Sequence, residues 1–310
     1  MADKIATRAA YGEFLAEEGA LNPDLVVLDA DLAGSTKTSE FKKRYPERFF
    51  DMGIAEQNLM GTAAGLALSG KTVCASSFAM FAAGRGFEII RNAIGYTHAN
   101  VKVCATHAGI TVGEDGATHQ TFEDIALMRT IPGMTVLVPS DAVSAKKLLK
   151  KAVEMDGPVY VRLGRAAVPV CYDPARELEI GRAEVLREGS DAAVIACGIM
   201  VDAALAAADK LAAEGINVSV VDMHTIKPLD KEAVKKAAET GFIVCAEEHS
   251  VLGGLGSAVA EAAAEMAPCR MAFVGQKDVF GESGKPDELR QKYGMTADDI
   301  VNAVRRGIGK

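Results

Sequence analysis

The sequence predicts an α/β protein of two domains, each a mostly parallel β-sheet covered by helices. Short, almost continuously apolar segments rich in β-branched residues alternate with Ala-rich helical segments, and this alternation is interrupted once. Strands that are apolar along their whole length are typical of parallel sheets buried on both faces. The length of 310 residues agrees with two domains, because single domains commonly hold about 100–200 residues.

Ten strands are expected, in two series along the chain. The first series covers residues 25–28, 49–52, 72–75, 101–105, 135–138 and 159–162, and the second covers 193–196, 218–221, 243–246 and 271–274. Between them lies AAVPVCYDPARELEIGRAEVLREGS, a segment with two prolines and mixed charge that breaks the alternation. We therefore expect a first domain at residues 1–175 and a second at 176–310.

Composition excludes several classes of partner. With 34 basic and 42 acidic residues the net charge is −8, which argues against a nucleic-acid or anionic membrane surface as the main partner. No apolar run reaches the roughly 18 residues of a membrane span, and the first residues, MADKIATRAA, do not resemble a signal peptide. A cytoplasmic location is the expectation. The six cysteines include no CxxC pair, so the sequence indicates neither a zinc site nor a redox motif.

Polar and aromatic residues follow the strands of the first series at the point where each strand ends. The segments are DADLAGS at 29–35, GIAEQ at 53–57, SSFAMF at 76–81, ATHAGITVGEDGATHQ at 105–120 and LGR at 163–165. Ligands of open α/β sheets bind at the carboxyl ends of the strands. The sequence therefore predicts a binding site at this edge of the first sheet.

The segment at 105–120 is the most informative of these loops. Three glycines within residues 109–116 allow close backbone approach to a ligand, and two of the five histidines of the chain lie in it. A surface loop with solvated charges is the plainer alternative. A metal site is disfavoured, because the spacing of His107, Asp115 and His119 matches no closed set of ligands.

Single side chains elsewhere have both a structural and a functional interpretation. Glu56, in the first turn of a helix expected to open near Gly53, could simply stabilise the helix dipole. Phe78 and Phe81 are three residues apart and could be ordinary core aromatics, although aromatic residues are scarce in this chain, at 5%. Isolated arginines such as Arg8 and Arg165 are by default surface cations.

Taken together, the motifs resemble those of the transketolase family. The segments above, with ATR at 6–8, are similar to the pyrimidine-binding domain of transketolase, and HTIKPLD at 224–230 and EEHSVLGGLGSAVAE at 247–261 are similar to its C-terminal domain. The chain contains no GDG motif, with which longer transketolases hold Mg²⁺. The resemblance therefore implies the C-terminal subunit of a split transketolase. A separate N-terminal subunit would supply the metal and diphosphate site, in an α2β2 assembly.

The resemblance also implies an activity and a cofactor. The activity is transfer of a two-carbon ketol unit from a ketose phosphate to an aldose phosphate, as in the pentose phosphate pathway, with thiamine diphosphate as the cofactor. By resemblance, Glu56 hydrogen-bonds the pyrimidine N1′ and so helps to remove the thiazolium C2 proton. Phe81 stacks on the pyrimidine, Phe78 lines the pocket, and Asp31 lies at its rim.

Substrate contacts follow from the same resemblance. Asp115 matches a residue that binds a donor hydroxyl, and His119 matches one that binds the C1 hydroxyl or the carbonyl oxygen. The positions that match a sugar-phosphate clamp are Arg8, Ser35, His107 and Arg165. Two arginines with a histidine and a serine are chemically suited to a phosphate. The chain departs from many family members in having Gly84 and Arg85 where a further aromatic follows the stacking ring.

Three other interpretations remain open at this point. A deoxyxylulose-phosphate synthase-like subunit shares the DG.THQ pattern but is normally one long chain. The β subunit of a 2-oxo acid dehydrogenase also lacks a diphosphate domain, yet its loop usually lacks this pattern. A non-catalytic scaffold could keep the fold alone, but both Glu56 and the phosphate clamp are retained here. The particular sugar donor and acceptor do not follow from these motifs.

Overall fold

The computed structural model describes residues 3–309, which form two large β-sheets and one small one, with helices packed on both faces. The elements of the first part are β1 Lys4–Ala6, α1 Thr7–Leu21, β2 Leu25–Asp29, α2 Ala33–Thr36, α3 Ser39–Arg44, β3 Phe49–Asp51, α4 Glu56–Leu68, β4 Thr72–Phe78, α5 Ala79–Arg85, α6 Phe87–Ile89, β5 Val101–Thr106, α7 Asp124–Arg129, β6 Thr135–Leu137, α8 Ala142–Glu154, β7 Val159–Arg162 and β8 Ala167–Pro169. Short 3₁₀ segments cover Pro46–Arg48 and Ile110–Asp115, and a π-helical segment covers Ile90–Gly95.

The second part begins with a strand in the segment that interrupts the alternation. Its elements are β9 Glu184–Arg187, β10 Ala192–Ala196, α9 Met200–Ala212, β11 Val218–Asp222, β12 Thr225–Lys227, α10 Lys231–Ala238, β13 Phe242–Ser250, α11 Leu255–Met266, β14 Arg270–Gln276, α12 Pro286–Lys292 and α13 Ala297–Ile308. No helix among residues 3–309 is both long enough and apolar enough to cross a bilayer.

Each large sheet is parallel except at one edge. The seven-stranded sheet has the order β12-β6-β7-β5-β4-β2-β3, and only β12 runs antiparallel to its neighbour. The five-stranded sheet has the order β14-β13-β10-β11-β9, with β9 antiparallel to β11. A third sheet consists of β1 and β8, paired antiparallel. The prediction of an α/β protein with two mostly parallel sheets is confirmed.

The sequence located the strands that pair in parallel but not the short antiparallel ones. All ten expected strands are present, whereas β1, β8, β9 and β12 were not expected. These four are three or four residues long, and each pairs antiparallel with its partner, so their sequences lack the long apolar runs of buried parallel strands. Strand β12 follows the expected boundary at residues 175 and 176, yet it completes the first sheet. The boundary itself stays a prediction.

The two large sheets share one apolar core. A continuous cluster of buried side chains includes Val103 and Val136 from the seven-stranded sheet and Ile195 and Val221 from the five-stranded sheet. Each apolar side chain of this size contributes about 1.5–3 kcal/mol when fully buried. The relative position of the two domains is therefore held by packing as well as by polar contacts.

A buried ion pair reinforces this junction. Arg162, at the end of β7, donates from Nε to Asp124 Oδ2 at 2.8 Å and from Nη2 to the carbonyl oxygen of Glu248, in β13, at 2.8 Å. Tyr160 donates to the same Asp124 oxygen at 2.8 Å. Burial favours the neutral carboxyl, but the charges of Arg162 and His249 outweigh this and hold the pKa of Asp124 below its ordinary value. Hydrogen bonds of Arg162 thus link the first domain to β13.

A second buried carboxyl lies at the same junction, at the end of β11. Asp222 accepts hydrogen bonds at Oδ2 from Ser140 at 2.6 Å and from Tyr172 at 2.8 Å, while its Oδ1 has no partner within the described residues. Burial raises the pKa of Asp222 to about 7, and the nearby Asp141 and Glu184 carboxylates act in the same direction. Asp222 is therefore partly protonated near neutral pH.

We expect Asp222 to make the stability of the chain fall as pH rises. Because the pKa in the folded chain lies above the unfolded value of about 3.9, the contribution of Asp222 is complete below about pH 4 and is lost as pH rises through about 7. Between pH 5 and pH 8, the free energy of unfolding of Asp222→Asn should therefore fall by about 1–3 kcal/mol less than that of the parent. Urea unfolding at both pH values measures this difference. Asp209→Asn, which changes an exposed carboxylate, is the control. If the free energy of unfolding changes equally with pH in Asp222→Asn and in the parent, the prediction is wrong.

Candidate active site

A cavity of about 290 Å³ opens at the carboxyl edge of the seven-stranded sheet. Four segments surround it: the turns after β2 and β3, helix α5, and the loop after β5. The lining residues are Ala30, Asp31, Leu32, Ile54, Glu56, Phe81, Arg85, Thr118 and His119. Loops that are far apart in sequence converge here because the parallel strands end at the same edge. The cavity therefore lies where the sequence placed a site.

Glu56 provides a buried carboxylate in this cavity. It is the first residue of α4, three positions later than the expected start at Gly53, which instead forms a turn with φ +69°. The side chain is only 2% exposed. Ser77 donates a hydrogen bond to Oε1 at 3.2 Å, and Arg85 donates from Nη1 to Oε2 at 3.2 Å. A buried carboxylate with so few partners is able to accept a further hydrogen-bond donor from a ligand.

Aromatic rings form the opposite part of the cavity. The Phe78 and Phe81 rings lie nearly parallel, with centroids 5.8 Å apart. The His119 ring is edge-on to Phe81 at 5.2 Å, and the Arg85 guanidinium lies 4.3 Å from the centre of the Phe81 ring. Phe78 is buried, whereas Phe81 is only half-buried and lines the cavity. Of the two rings, Phe81 is the one that lines the cavity, and the Arg85 guanidinium lies over it.

A second cluster joins residues from three separate segments: helix α1, helix α2 and the loop after β5. Arg8 donates from Nη1 to the carbonyl oxygen of Ser35 at 2.8 Å and to His107 Nε2 at 3.1 Å. His107 in turn stacks on Phe78 with ring centroids 3.8 Å apart. The structure therefore brings together three of the four predicted phosphate-binding residues. It is the carbonyl of Ser35, rather than its hydroxyl, that orients Arg8.

His107 is neutral in this cluster. Burial, followed by the charges of Arg8 and Arg165, lowers the pKa of His107 to about 3. Because Arg8 only donates, His107 Nε2 accepts, and the proton therefore lies on Nδ1, 2.8 Å from Thr106 Oγ1. His107 orients Arg8 and adds no positive charge, so the charge of the cluster comes from arginine.

Arg165 lies close to this cluster but is held by other partners. It donates to the carbonyl oxygen of Val112 and forms an ion pair with Glu114 at 2.7 Å. Burial lowers the pKa of Arg8, and repulsion from the nearby guanidinium group of Arg165 adds to this effect. Two arginines that repel each other in this way are suited to share one doubly charged anion.

The two predicted aspartates occupy different places. Asp31 has a left-handed backbone, with φ +62°, and its amide donates to Asp51 Oδ1 at 3.0 Å; it lies at the cavity rim. Asp115 is exposed at the end of the 3₁₀ segment and is not among the described residues that line the cavity. The structure thus brings Asp31, Glu56, Phe81 and His119 together and leaves Asp115 outside the cavity wall.

The loop at 105–120 rests on the second domain. Glu248 Oε1, in β13, accepts a hydrogen bond from the Thr111 amide at 2.7 Å, and Gln120 donates to the carbonyl oxygen of Glu282 at 2.9 Å. Gly109 has φ +80°, and a Cβ there would lie 2.2 Å from Glu248 Cδ, so only glycine fits. The second domain therefore helps to shape the loop that carries His107 and His119.

Three contacts of the site were not predicted from the sequence. Ser77 and Arg85 bind Glu56, and Glu248 supports the loop through Thr111, which lies 137 positions earlier in the chain. The position of Ser77 at the end of β4 could have indicated its role, because its neighbours Phe78 and Phe81 were already selected. Residues 3–309 bring together no three His, Cys, Asp or Glu side chains that could hold a metal ion.

Comparisons with known proteins agree with this geometry. The family model "Transketolase, pyrimidine binding domain" matches residues 3–170, and "Transketolase, C-terminal domain" matches residues 181–300. A protein of Methanocaldococcus jannaschii, provisionally named a transketolase C-terminal section, is 49% identical over 98% of this chain and 96% of its own. The 6-deoxy-6-sulfo-D-fructose transketolase subunit SqwH of Clostridium sp. (strain MSTE9) is 42% identical over 96% of this chain and 92% of its own.

A solved structure described as "Split gene transketolase, inactive beta4 tetramer" is 56% identical and superposes with a TM-score of 0.92. The alignment covers 98% of this chain and 99% of that one. The fold, the site and these likenesses place the chain in the transketolase family. Within the family it corresponds to the C-terminal section, which consists of the pyrimidine-binding and C-terminal domains.

Proposed function

We propose that this chain is the C-terminal subunit of a split, thiamine-diphosphate-dependent transketolase (EC 2.2.1.1-like) that transfers a two-carbon ketol unit from a ketose phosphate to an aldose phosphate. The observation that supports this most directly is the buried Glu56 carboxylate beside the accessible face of Phe81, in a cavity that also contains His119. The relatives with which it aligns over nearly their full length bear transketolase names, which favours this proposal over the deoxyxylulose-phosphate synthase and 2-oxo acid dehydrogenase alternatives.

The donor set of the cavity fits an aminopyrimidine ring. Glu56 provides a carboxylate for a ring nitrogen, Phe81 provides an aromatic face, and the cavity of about 290 Å³ suits a ring of this size. Thiamine diphosphate, when bound, supplies the carbon nucleophile that attacks the donor ketose. Glu56 then holds or shares a proton at the pyrimidine N1′, and Phe78 keeps Phe81 in place from behind.

We assign the substrate contacts to the neighbouring groups. His119, at the edge of Phe81, binds the donor carbonyl or C1 hydroxyl oxygen, and Asp115 binds a further donor hydroxyl with its exposed carboxylate. Arg8 and Arg165 supply the positive charge for the sugar phosphate, while His107 and the Ser35 carbonyl hold Arg8 in place. Release of Arg165 from Glu114 by an incoming phosphate would give the anion both guanidinium groups.

We further propose an N-terminal subunit as partner, which would supply the Mg²⁺ and most of the diphosphate site in an α2β2 assembly in the cytoplasm. Two relatives support this proposal: the Clostridium protein is named a subunit, and the split-gene structure is an inactive tetramer of β chains alone. All six cysteines of this chain are free, which agrees with a reducing compartment. The pentose phosphate pathway is the proposed metabolic setting.

Reconstitution tests the proposal. The chain is mixed with an N-terminal transketolase subunit from the same genome, thiamine diphosphate and Mg²⁺, and assayed with xylulose 5-phosphate and ribose 5-phosphate. We expect ketol transfer only when both subunits are present. Turnover by this chain alone would contradict the split-subunit proposal, and consumption of pyruvate in place of the ketose phosphate would contradict the assigned reaction.

Arg165→Ala tests the phosphate site in the same assay. Losing a charge-assisted hydrogen bond of about 1.5–3 kcal/mol should raise KM for a phosphorylated donor by about tenfold or more, with little change in kcat. A donor without phosphate should be unaffected. Arg187→Ala removes a surface arginine paired with Asp209 and is the matched control. Equal losses with both kinds of donor would show that Arg165 does not bind the phosphate.

A further inference from the structure

Arg85 lines the proposed pyrimidine cavity and contacts the two groups, Glu56 and Phe81, that the proposed function gives to the pyrimidine. Its Nη1 donates to Glu56 Oε2 at 3.2 Å, and its guanidinium carbon lies 4.3 Å from the centre of the Phe81 ring. Both Arg85 and these two partners line the same cavity. One planar cationic group thus makes a hydrogen bond to the carboxylate and a stacking contact with the aromatic face at the same time.

These are the two contacts that an aminopyrimidine would make. The guanidinium group is planar, donates hydrogen bonds and stacks on aromatic faces, so it resembles a protonated or amino-substituted heterocycle in all three respects. Building on the proposed function, we propose that Arg85 is an internal placeholder: it takes the contacts with Glu56 and Phe81 that the pyrimidine would make, and it must swing away when thiamine diphosphate binds.

The burial of Glu56 explains why Arg85 stays beside it when no ligand is bound. A carboxylate that is 2% exposed has lost most of its hydration, and leaving it without a charged partner is costly. Ser77 provides only one neutral hydrogen bond, so Arg85 supplies the charge compensation until a ligand donates in its place. The Arg85 side chain remains 52% exposed, so it can leave toward water without crossing packed protein.

The consequence is a lowered affinity of the chain for its cofactor. A ligand that binds only the state with Arg85 displaced has its apparent Kd raised by the inverse of the population of that state. If the displaced state holds about a tenth of the molecules, removal of Arg85 should tighten binding by about tenfold. Arg85 therefore opposes cofactor binding instead of assisting it, unlike every other residue assigned to the site.

Calorimetric titration of the full chain tests this directly. The probes are thiamine diphosphate and hydroxymethylpyrimidine, the pyrimidine half of thiamine, added to the parent, Arg85→Ala and Arg91→Ala. Arg91 is an exposed arginine a few residues further on, bound to Asn92, and serves as the matched control. We expect Arg85→Ala to bind both probes about tenfold more tightly and Arg91→Ala to bind like the parent. Circular dichroism checks that both variants fold. Binding to Arg85→Ala that is unchanged or weaker would overturn the placeholder.

Nitrogen NMR of the arginine side chains separates this inference from the proposed function. The Arg85 guanidinium signal, identified by its loss in Arg85→Ala, should move toward that of Arg91 when hydroxymethylpyrimidine saturates the parent chain. If the probe binds while the Arg85 signal stays in place, the placeholder is wrong and the pyrimidine site stands. If the probe binds neither the parent nor Arg85→Ala, the pyrimidine site itself is wrong and the placeholder falls with it.

Discussion

Glu56→Gln in the reconstituted complex is expected to lower kcat by about 10²–10⁴-fold, the range for loss of a general acid or base. Glutamine keeps the size of the side chain and, through its amide oxygen, the hydrogen bond with Ser77, while the ion pair with Arg85 is lost. An amide, however, cannot hold or share a proton at the pyrimidine N1′ as a carboxyl group does. Loss of the carboxyl function should therefore affect catalysis far more than cofactor binding or folding.

A matched variant and a second readout support the interpretation of this experiment. Glu88→Gln changes an exposed glutamate of α6 that is bound to Asn92, and it should leave kcat within about twofold of the parent. Exchange of the thiazolium C2 proton with deuterated solvent, followed by NMR, reports activation of the cofactor without the sugar. Parent-like exchange in Glu56→Gln would remove Glu56 from this step.

Arg162→Met should lower the free energy of unfolding by about 3–5 kcal/mol, the usual cost of removing one partner of a buried ion pair. Methionine fills much of the volume but leaves Asp124, which is fully buried, with only the Tyr160 hydroxyl and His249 nearby. The hydrogen bond to the Glu248 carbonyl, which crosses between the domains, is lost as well. Urea unfolding of the full chain measures the change.

Two further variants identify the cause of this loss. Arg305→Met breaks the ion pair with Glu214, in which both side chains are exposed, so it should lower the free energy of unfolding far less than Arg162→Met does. Adding Asp124→Leu to Arg162→Met removes the stranded charge and should recover part of the stability. A loss below about 1 kcal/mol in the single variant, or no recovery in the double variant, would show that the unpaired charge is not what destabilises the protein.

The sequence was sufficient for the parallel strands of the two large sheets and for the carboxyl edge that carries the site. Buried parallel strands such as β10 are apolar along their whole length, so they stand out from the surrounding helices. The residues that follow them meet at one edge for topological reasons alone, which is why Glu56, Phe81 and His119 could be grouped without coordinates. Their roles in catalysis stay proposals that rest on the resemblance.

Contacts between distant segments could not be read in the same way. The bond between Thr111 and Glu248 joins residues 137 positions apart, and nothing in the local sequence of either one indicates the other. Arg85 departs from the family pattern, but whether its side chain points into the cavity depends on how α5 packs. Sequence patterns report periodicity and strand order, whereas such pairs depend on the exact packing of the two domains.

The antiparallel pairing of β12 with β6 has a consequence for how the protein is made. On the ribosome, the strand at Thr135–Leu137 emerges long before Thr225–Lys227. Until then β6 is an edge strand of the nascent sheet, and its free backbone groups can pair with other chains and cause aggregation. The first half of the polypeptide is thus expected to need shielding during translation until its last strand arrives.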